Sequence, residues 1–223
     1  IGVIIGIFKG TLDAKSSNDI LGTELAAILK NIYALITGVC NGLGYGDNFL
    51  AVIITASTNE MKRLLSLLDQ QERSISKSAY LGDLLVTCYS LHSRNRRFGS
   101  HIGKGLTVDE TKSEMKMVAE GYNATKCIYH ILHQRQLIQQ APIVKAAYDI
   151  LYNTTNPKST IRVLSSLITE NQQLNKKQSV DDEDPKKIKI RNLLFASTGT
   201  IGEKFPENKI ISSIPNLINN IKY

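Results

Sequence analysis

Apolar residues along the chain fall into blocks with helical spacing, separated by short polar or glycine-rich breaks. Residues 24–40, ELAAILKNIYALITGVC, are apolar on nearly every face. That pattern predicts a helix buried on all sides, entered through residues 19–22, with Lys30 and Asn31 in its middle. Residues 49–68 repeat Ile53, Ile54, Met61, Leu64, Leu65 and Leu68 at the same spacing and predict a second helix. The break between them, NGLGYGDN, holds Gly42, Gly44 and Gly46 and predicts a tight loop. It is not a dinucleotide fingerprint, which needs G-x-G-x-x-G between a strand and a helix. Residues 70–80 are polar and read as a connection, and a third block, GDLLVTCYSLHSRNRRFG, fills 82–99. A glycine-broken loop follows, with Gly103 and Gly105, and then Thr107 and Glu110 form a capping box that starts a helix. VAEGY at 118–122 interrupts the pattern. Further helices are predicted at 125–139, at 142–153 with Pro142 in its first turn, and at 159–167. At the other end, IGVIIGIFKGTL is a β-branched run closed by glycine and reads as a single strand. The fold class is mainly α, a multi-helix domain with a strand remnant at the N-terminus.

From residue 171 the composition changes. NQQLNKKQSVDDEDPKKIKIRN carries opposed charge blocks and reads as linker or disordered chain; residues 193–223 yield no assignment. The 223 residues suffice for one large domain or a domain with an appendage, and 42% hydrophobic with 21% charged residues is ordinary for a globular protein. A formal charge of +7 suits an anionic ligand, whether nucleic acid, a phosphorylated metabolite or a membrane surface. Cys40, Cys88 and Cys127 are odd in number, with no C-x-x-C, which suggests a reduced, cytoplasmic protein. No apolar run is read as reaching the roughly 18 residues of a membrane span, and residues 3–8 lack the basic start of a signal peptide. The chain opens on Ile1, which suggests a fragment.

The chemistry concentrates at 82–99. Asp83 and Thr87 stand at i and i+4, on one face of a helix. Ser93 has the character of an N-cap, and Arg94, Arg96 and Arg97 then fall in the first turn, where they oppose the helix dipole. A bound phosphate at that helix start would resolve the conflict, and arginine can grip it with two bonds; the plainer alternative is a solvated basic face. Lys30 either lines a polar cleft with Asn31 or snorkels to the surface. Beside Asp83 it would be a proton-transfer group. Cys127, His130 and His133 drift around a helix and have no fourth ligand, so no metal is expected. His92 and His101 read as loop residues, and nothing suggests a nucleophilic triad.

Seven strings recur in a recognisable order: NDILGTEL (18–25), LKNIYALITGVCNGLGYGDN (29–48), EM (60–61), LGDLLVTC (81–88), SRNRRFG (93–99), VAEGYNATK (118–126) and APIVKAAYDILY (141–152). Together they resemble bacterial-type NAD(P)-dependent glycerol-3-phosphate dehydrogenase, specifically its C-terminal helical substrate domain, which is 6-phosphogluconate-dehydrogenase-like. The resemblance implies interconversion of sn-glycerol 3-phosphate and dihydroxyacetone phosphate by hydride transfer with NAD or NADP, supplying glycerol 3-phosphate for phospholipid synthesis. It implies Lys30 as general base, Asp83 orienting Lys30, Thr87 touching substrate, and Arg94 and Asn95 holding the phosphate with Ser93 beside them. Arg94, Asn95, Val118 and Glu120 match positions that also touch the cofactor. Arg96 and Arg97 are left as surface charge. A homodimer is implied; nucleic-acid binding and membrane insertion are not. The domains would be 1–17, a remnant of the dinucleotide-binding domain; 18–174, the substrate-binding and catalytic domain; and 175–223, a polar linker and tail. The family's G-x-G-x-x-G is not in this sequence, so the chain by itself would hold half an active site and would not turn over alone. Tyr80 stands where the family usually has glycine, and Ala56-Ser57 replaces its R-G pair. A competing reading is a helical nucleic-acid-binding or dimerisation module built on the RNRR run.

Overall fold

A computed structural model describes residues 19–69, 71–115 and 119–180, the last ten of these by backbone alone. Among the described residues every regular element is helical, as the patterning predicts. Eight α-helices follow in order: α1 (Ile20–Gly42), α2 (Asp47–Leu68), α3 (Asp83–Tyr89), α4 (Arg94–Gly103), α5 (Val108–Glu114), α6 (Glu120–Gln134), α7 (Pro142–Tyr152) and α8 (Pro157–Val180). A π-helical turn, Ser78–Gly82, leads directly into α3. The chain divides into units 1–174 and 175–223, and of the second only the helical backbone of 175–180 is described. The strand expected at the N-terminus and the tail after Val180 lie outside the described residues.

α1 is the element on which the others pack. Asp19 caps it, its carboxylate accepting from the Gly22 amide at 3.0 Å. Arg73 reaches across to hold the same carboxylate through Nε at 2.6 Å and Nη2 at 2.9 Å, and the Tyr80 hydroxyl donates to it as well. That guanidinium holds the Asp19 carboxyl down at about 2. The polar connection of 71–80 is thereby tied to the start of α1. The expectation of burial on all sides is corrected by the structure. Residues 32–40 are buried without exception, but within the earlier part of the block Glu24 and Ile28 are exposed. A second correction concerns length and apolarity. With 23 residues and a mean hydropathy of 1.4 over its best window, α1 is long and apolar enough by composition to cross a membrane. In the fold its C-terminal half is the middle of the core.

α4 lies against α1 with the two chains running in the same direction. Asn31 meets Asn95, Leu35 meets Gly99 and Val39 meets Gly103, a constant offset of 64 residues. No side chain separates the two backbones at this crossing. A Cβ on Gly99 would sit 1.9 Å from the Leu35 carbonyl oxygen, and one on Gly38 would sit 2.0 Å from that of Arg96. The glycines at 99 and 103, read from the sequence as closing a motif and opening a loop, are therefore helical contact points. The chain leaves the helix at Gly105, whose φ of +105° suits glycine alone.

α2 and α7 are joined by Glu60. Its carboxyl is 1% exposed and accepts from the Ile143 amide at 2.8 Å and the Val144 amide at 3.1 Å. It thus caps a helix whose own N-cap, Ala141, has no side chain to offer. Burial pushes this carboxyl up to about 7 against the pull of the two amides. The buried Tyr33 hydroxyl of α1 faces it without a hydrogen bond of good geometry. α5 has the expected capping box. α6 starts at Glu120, earlier than the 125 expected, and α8 continues to Val180 through residues read as linker.

Candidate active site

Lys30 stands midway along α1 and Asp83 opens α3. Their side chains meet at 2.6 Å, Nζ to Oδ2. At 21% and 41% exposed, both side chains are partly open to solvent. Asp83 lies in a first helical turn, where the dipole favours negative charge. Thr87, one turn on, donates its hydroxyl back to the Asp83 carbonyl at 2.6 Å. It shares the face with Asp83 but does not bond the carboxylate.

The second half of the site is the start of α4. Ser93 caps the helix, its Oγ accepting from the Arg96 amide at 3.3 Å. Asn95 is buried and used on both sides of its amide. Its Nδ2 donates to Asn31 Oδ1 at 2.9 Å, and its Oδ1 accepts from the Gly121 amide at 2.8 Å. Asn31 in turn donates to Glu120 at 3.2 Å, and the exposed Arg94 donates to the other oxygen of Glu120 at 3.3 Å. Lys30 and Asn31, adjacent on α1, thus reach the two ends of one polar face. Asp83 is tied to Lys30, and Asn95, Glu120 and Arg94 to Asn31, while Thr87 and Ser93 bond only backbone atoms of their own segments; Val118 lies outside the described residues. Two cavities, of about 450 Å³ between α7 and α8 and about 620 Å³ beside Lys62 and Arg73, lie elsewhere.

Spacing marked Asn31 only as the neighbour of Lys30, left Arg96 as surface charge and missed Gly121. Asn31 bridges Asn95 and Glu120. Gly121 carries no side chain because a Cβ there would stand 2.6 Å from the Asn31 carbonyl. Arg96, expected as surface charge, is 8% exposed. Its Nη1 donates to the Tyr89 carbonyl at 2.5 Å, and its Nε is buried with no partner among the described residues. The signal for it was present: counting back three from Phe98 and Gly99, both buried, gives Asn95 and Arg96. With Arg96 inside and Arg94 on Glu120, the RNRR run does not form an exposed basic stripe. Cys127 is exposed, while His130 and His133 pack around the Tyr129 ring. No group of metal-ligating side chains occurs among the described residues.

NAD(P), implied by the sequence resemblance, would meet this chain at Arg94 and Glu120. Both carry exposed charged groups, which pair with one another at 3.3 Å. The described residues show no phosphate-cradling glycine loop between a strand and a helix.

Known proteins share this helical architecture. The family described as "NAD-dependent glycerol-3-phosphate dehydrogenase C-terminus" matches residues 19–162. Glycerol-3-phosphate dehydrogenase [NAD(P)+] of Halothermothrix orenii is 37% identical over 158 residues, covering 71% of this chain and 46% of that protein. The enzyme of the same name from Shouchella clausii is 43% identical over 139 residues, covering 62% and 40%. The crystal structure of glycerol-3-phosphate dehydrogenase from Coxiella burnetii superposes with a TM-score of 0.63 at 32% identity, over 66% of this chain and 45% of that one. The chain spans less than half the length of the curated relatives it matches.

Proposed function

The chain belongs to the family of NAD-dependent glycerol-3-phosphate dehydrogenase C-termini, and from that premise we propose that it supplies the proton-handling and phosphate-holding half of an enzyme interconverting sn-glycerol 3-phosphate and dihydroxyacetone phosphate. The observation that carries this reading is the reach of adjacent residues on α1. Lys30 pairs with Asp83 at 2.6 Å, and Asn31 bonds the Asn95 side chain at the start of α4. A base and an anion-binding helix start are thereby held on one rigid element.

In the oxidation, the neutral Lys30 amine takes the proton of the substrate C2 hydroxyl as hydride leaves C2. In the reduction, the Lys30 ammonium returns that proton to the carbonyl oxygen. NAD(P), when bound, supplies the hydride acceptor or donor. Asp83 steadies Nζ and balances the charge of its ammonium form, leaving the other N–H positions for substrate oxygens. The substrate phosphate is held by Arg94 and Asn95 at the N-terminus of α4, with Ser93 beside them and Thr87 lining the approach. Glu120 holds Arg94 and Asn31 in place and with Arg94 meets the cofactor; Val118 is proposed as a cofactor residue on the sequence resemblance alone. The catalytic unit in this reading is residues 18–174. The working enzyme is cytoplasmic, which suits the free, buried thiols of Cys40 and Cys88, and it is a homodimer.

The test is Lys30→Met in the complete enzyme. Loss of proton transfer should lower kcat about 10²- to 10⁴-fold while circular dichroism stays at wild type. Turnover within a few-fold of wild type would overturn the assignment.

A further inference from the structure

We infer that Arg96 is a positioning residue that sets the spacing between the reacting end of the site, Lys30 and Asp83, and its phosphate end, Arg94 and Asn95. The inference rests on reading the site as a glycerol 3-phosphate site. A guanidinium is costly to bury, and such a group usually has a carboxylate partner. Among the described residues Arg96 instead donates to the carbonyl of Tyr89, the last residue of α3, where the helix presents its negative end. Its own amide is capped by Ser93, in the first turn of α4. Its carbonyl oxygen lies against Gly38 of α1 so closely that a Cβ there would be 2.0 Å away. This one residue of α4 therefore links α3 and α1 as well.

The geometry explains why that contact matters. α3 starts with Asp83, held by Lys30, and ends at Tyr89, held by Arg96. α4 starts at Arg94, two residues before Arg96. Between them runs only the short turn of residues 90–93, closed by the Ser93 amide on the Ser90 carbonyl at 3.2 Å. Without the Arg96 bond, the only direct link between the end of α3 and the start of α4 would be that turn, each helix otherwise resting separately on α1. The distance from C2 to the phosphate is fixed in the substrate, so the two ends of the site must match it. A misplacement of about 1 Å can cost about 10²-fold in rate. Arg96 contacts neither end of the substrate; it keeps them in register.

The complete enzyme is assayed with glycerol 3-phosphate and with unphosphorylated glycerol, as wild type, Arg96→Met and Arg96→Lys. The readout is the ratio of kcat/KM for the two substrates, which reports how well phosphate binding is used at C2. In Arg96→Met that ratio should fall about 10- to 100-fold. Equal losses on both substrates, leaving the ratio at wild type, would mean a merely structural role and would overturn the inference. Should Arg96→Met not fold, Arg96→Lys decides: a ratio at least about threefold below wild type supports the spacing role, and an unchanged ratio overturns it. A wild type that does not oxidise glycerol 3-phosphate removes the substrate reading and this inference with it. A wild type that does, with unchanged ratios in the variants, removes this inference alone.

Discussion

Glu60 holds a helix to which it does not belong, and it does so from a position closed to water. Its carboxyl stands at about 7 in the fold against an ordinary 4.5. Between those values the folded chain keeps a proton that the unfolded chain releases. Stability from this group therefore falls as pH rises from about 4.5 to about 7 and then levels off. Glu60→Gln should remove that slope. It should also cost about 1–3 kcal/mol at about pH 8, where Glu60 is ionised and an amide cannot accept from both backbone donors. Urea unfolding of the two forms across pH 4.5 to 8 (an approximate range bracketing the titration) checks both statements, and parallel pH profiles would contradict the first. Little of this was legible in the sequence. Glu60 appears there only as the polar member of an EM pair, and its role depends on α7, which is 83 residues away. Lys30 shows the same limit. Helical spacing marks it as an oddity in an apolar face, but cleft and surface become distinguishable only when α3 brings Asp83 across 53 residues.

Glycine was the residue type whose meaning changed most between pattern and element. Gly99 and Gly121 look like breaks in a periodic sequence, yet both lie inside helices. They are glycine because another backbone passes where a Cβ would be. Gly99→Ala should cost about 3 kcal/mol, as overpacking against a carbonyl that cannot move without shifting α1. A thermal unfolding midpoint unchanged from wild type would contradict it. The long apolar helices α1, α2 and α7 were readable because periodicity survives over many residues. The start of α6 was not, because its first turn holds the close-contact glycine. The end of α8 was misread in the opposite sense. Its Gln, Lys and Leu residues look like a solvated linker by composition, yet they are good helix formers.

At the scale of the whole molecule, the site is assembled on one helix rather than between loops. α1 contributes Lys30 and Asn31, α4 lies along it in parallel, and α3 and α6 close on either side. The order of residues around the face was legible because the motifs stand in sequence. Their mutual distances were not, because they depend on how α3 and α4 fold back on α1. The backbone contact of α1 with α4 also bears on motion. Flexible side chains between two helices let one rock against the other in small steps, whereas carbonyls seated on glycine Cα atoms leave no intermediate position. α4 is then either fully seated or fully detached, and detaching it opens the core around Phe98 and Ile102. Amide hydrogen exchange should show the 96–103 and 32–40 amides protected to the same free energy and opening together. Faster exchange in α4 alone would show that it can loosen by itself. If the two segments do exchange as one, α4 has no private unfolding route, and its order is that of the core itself.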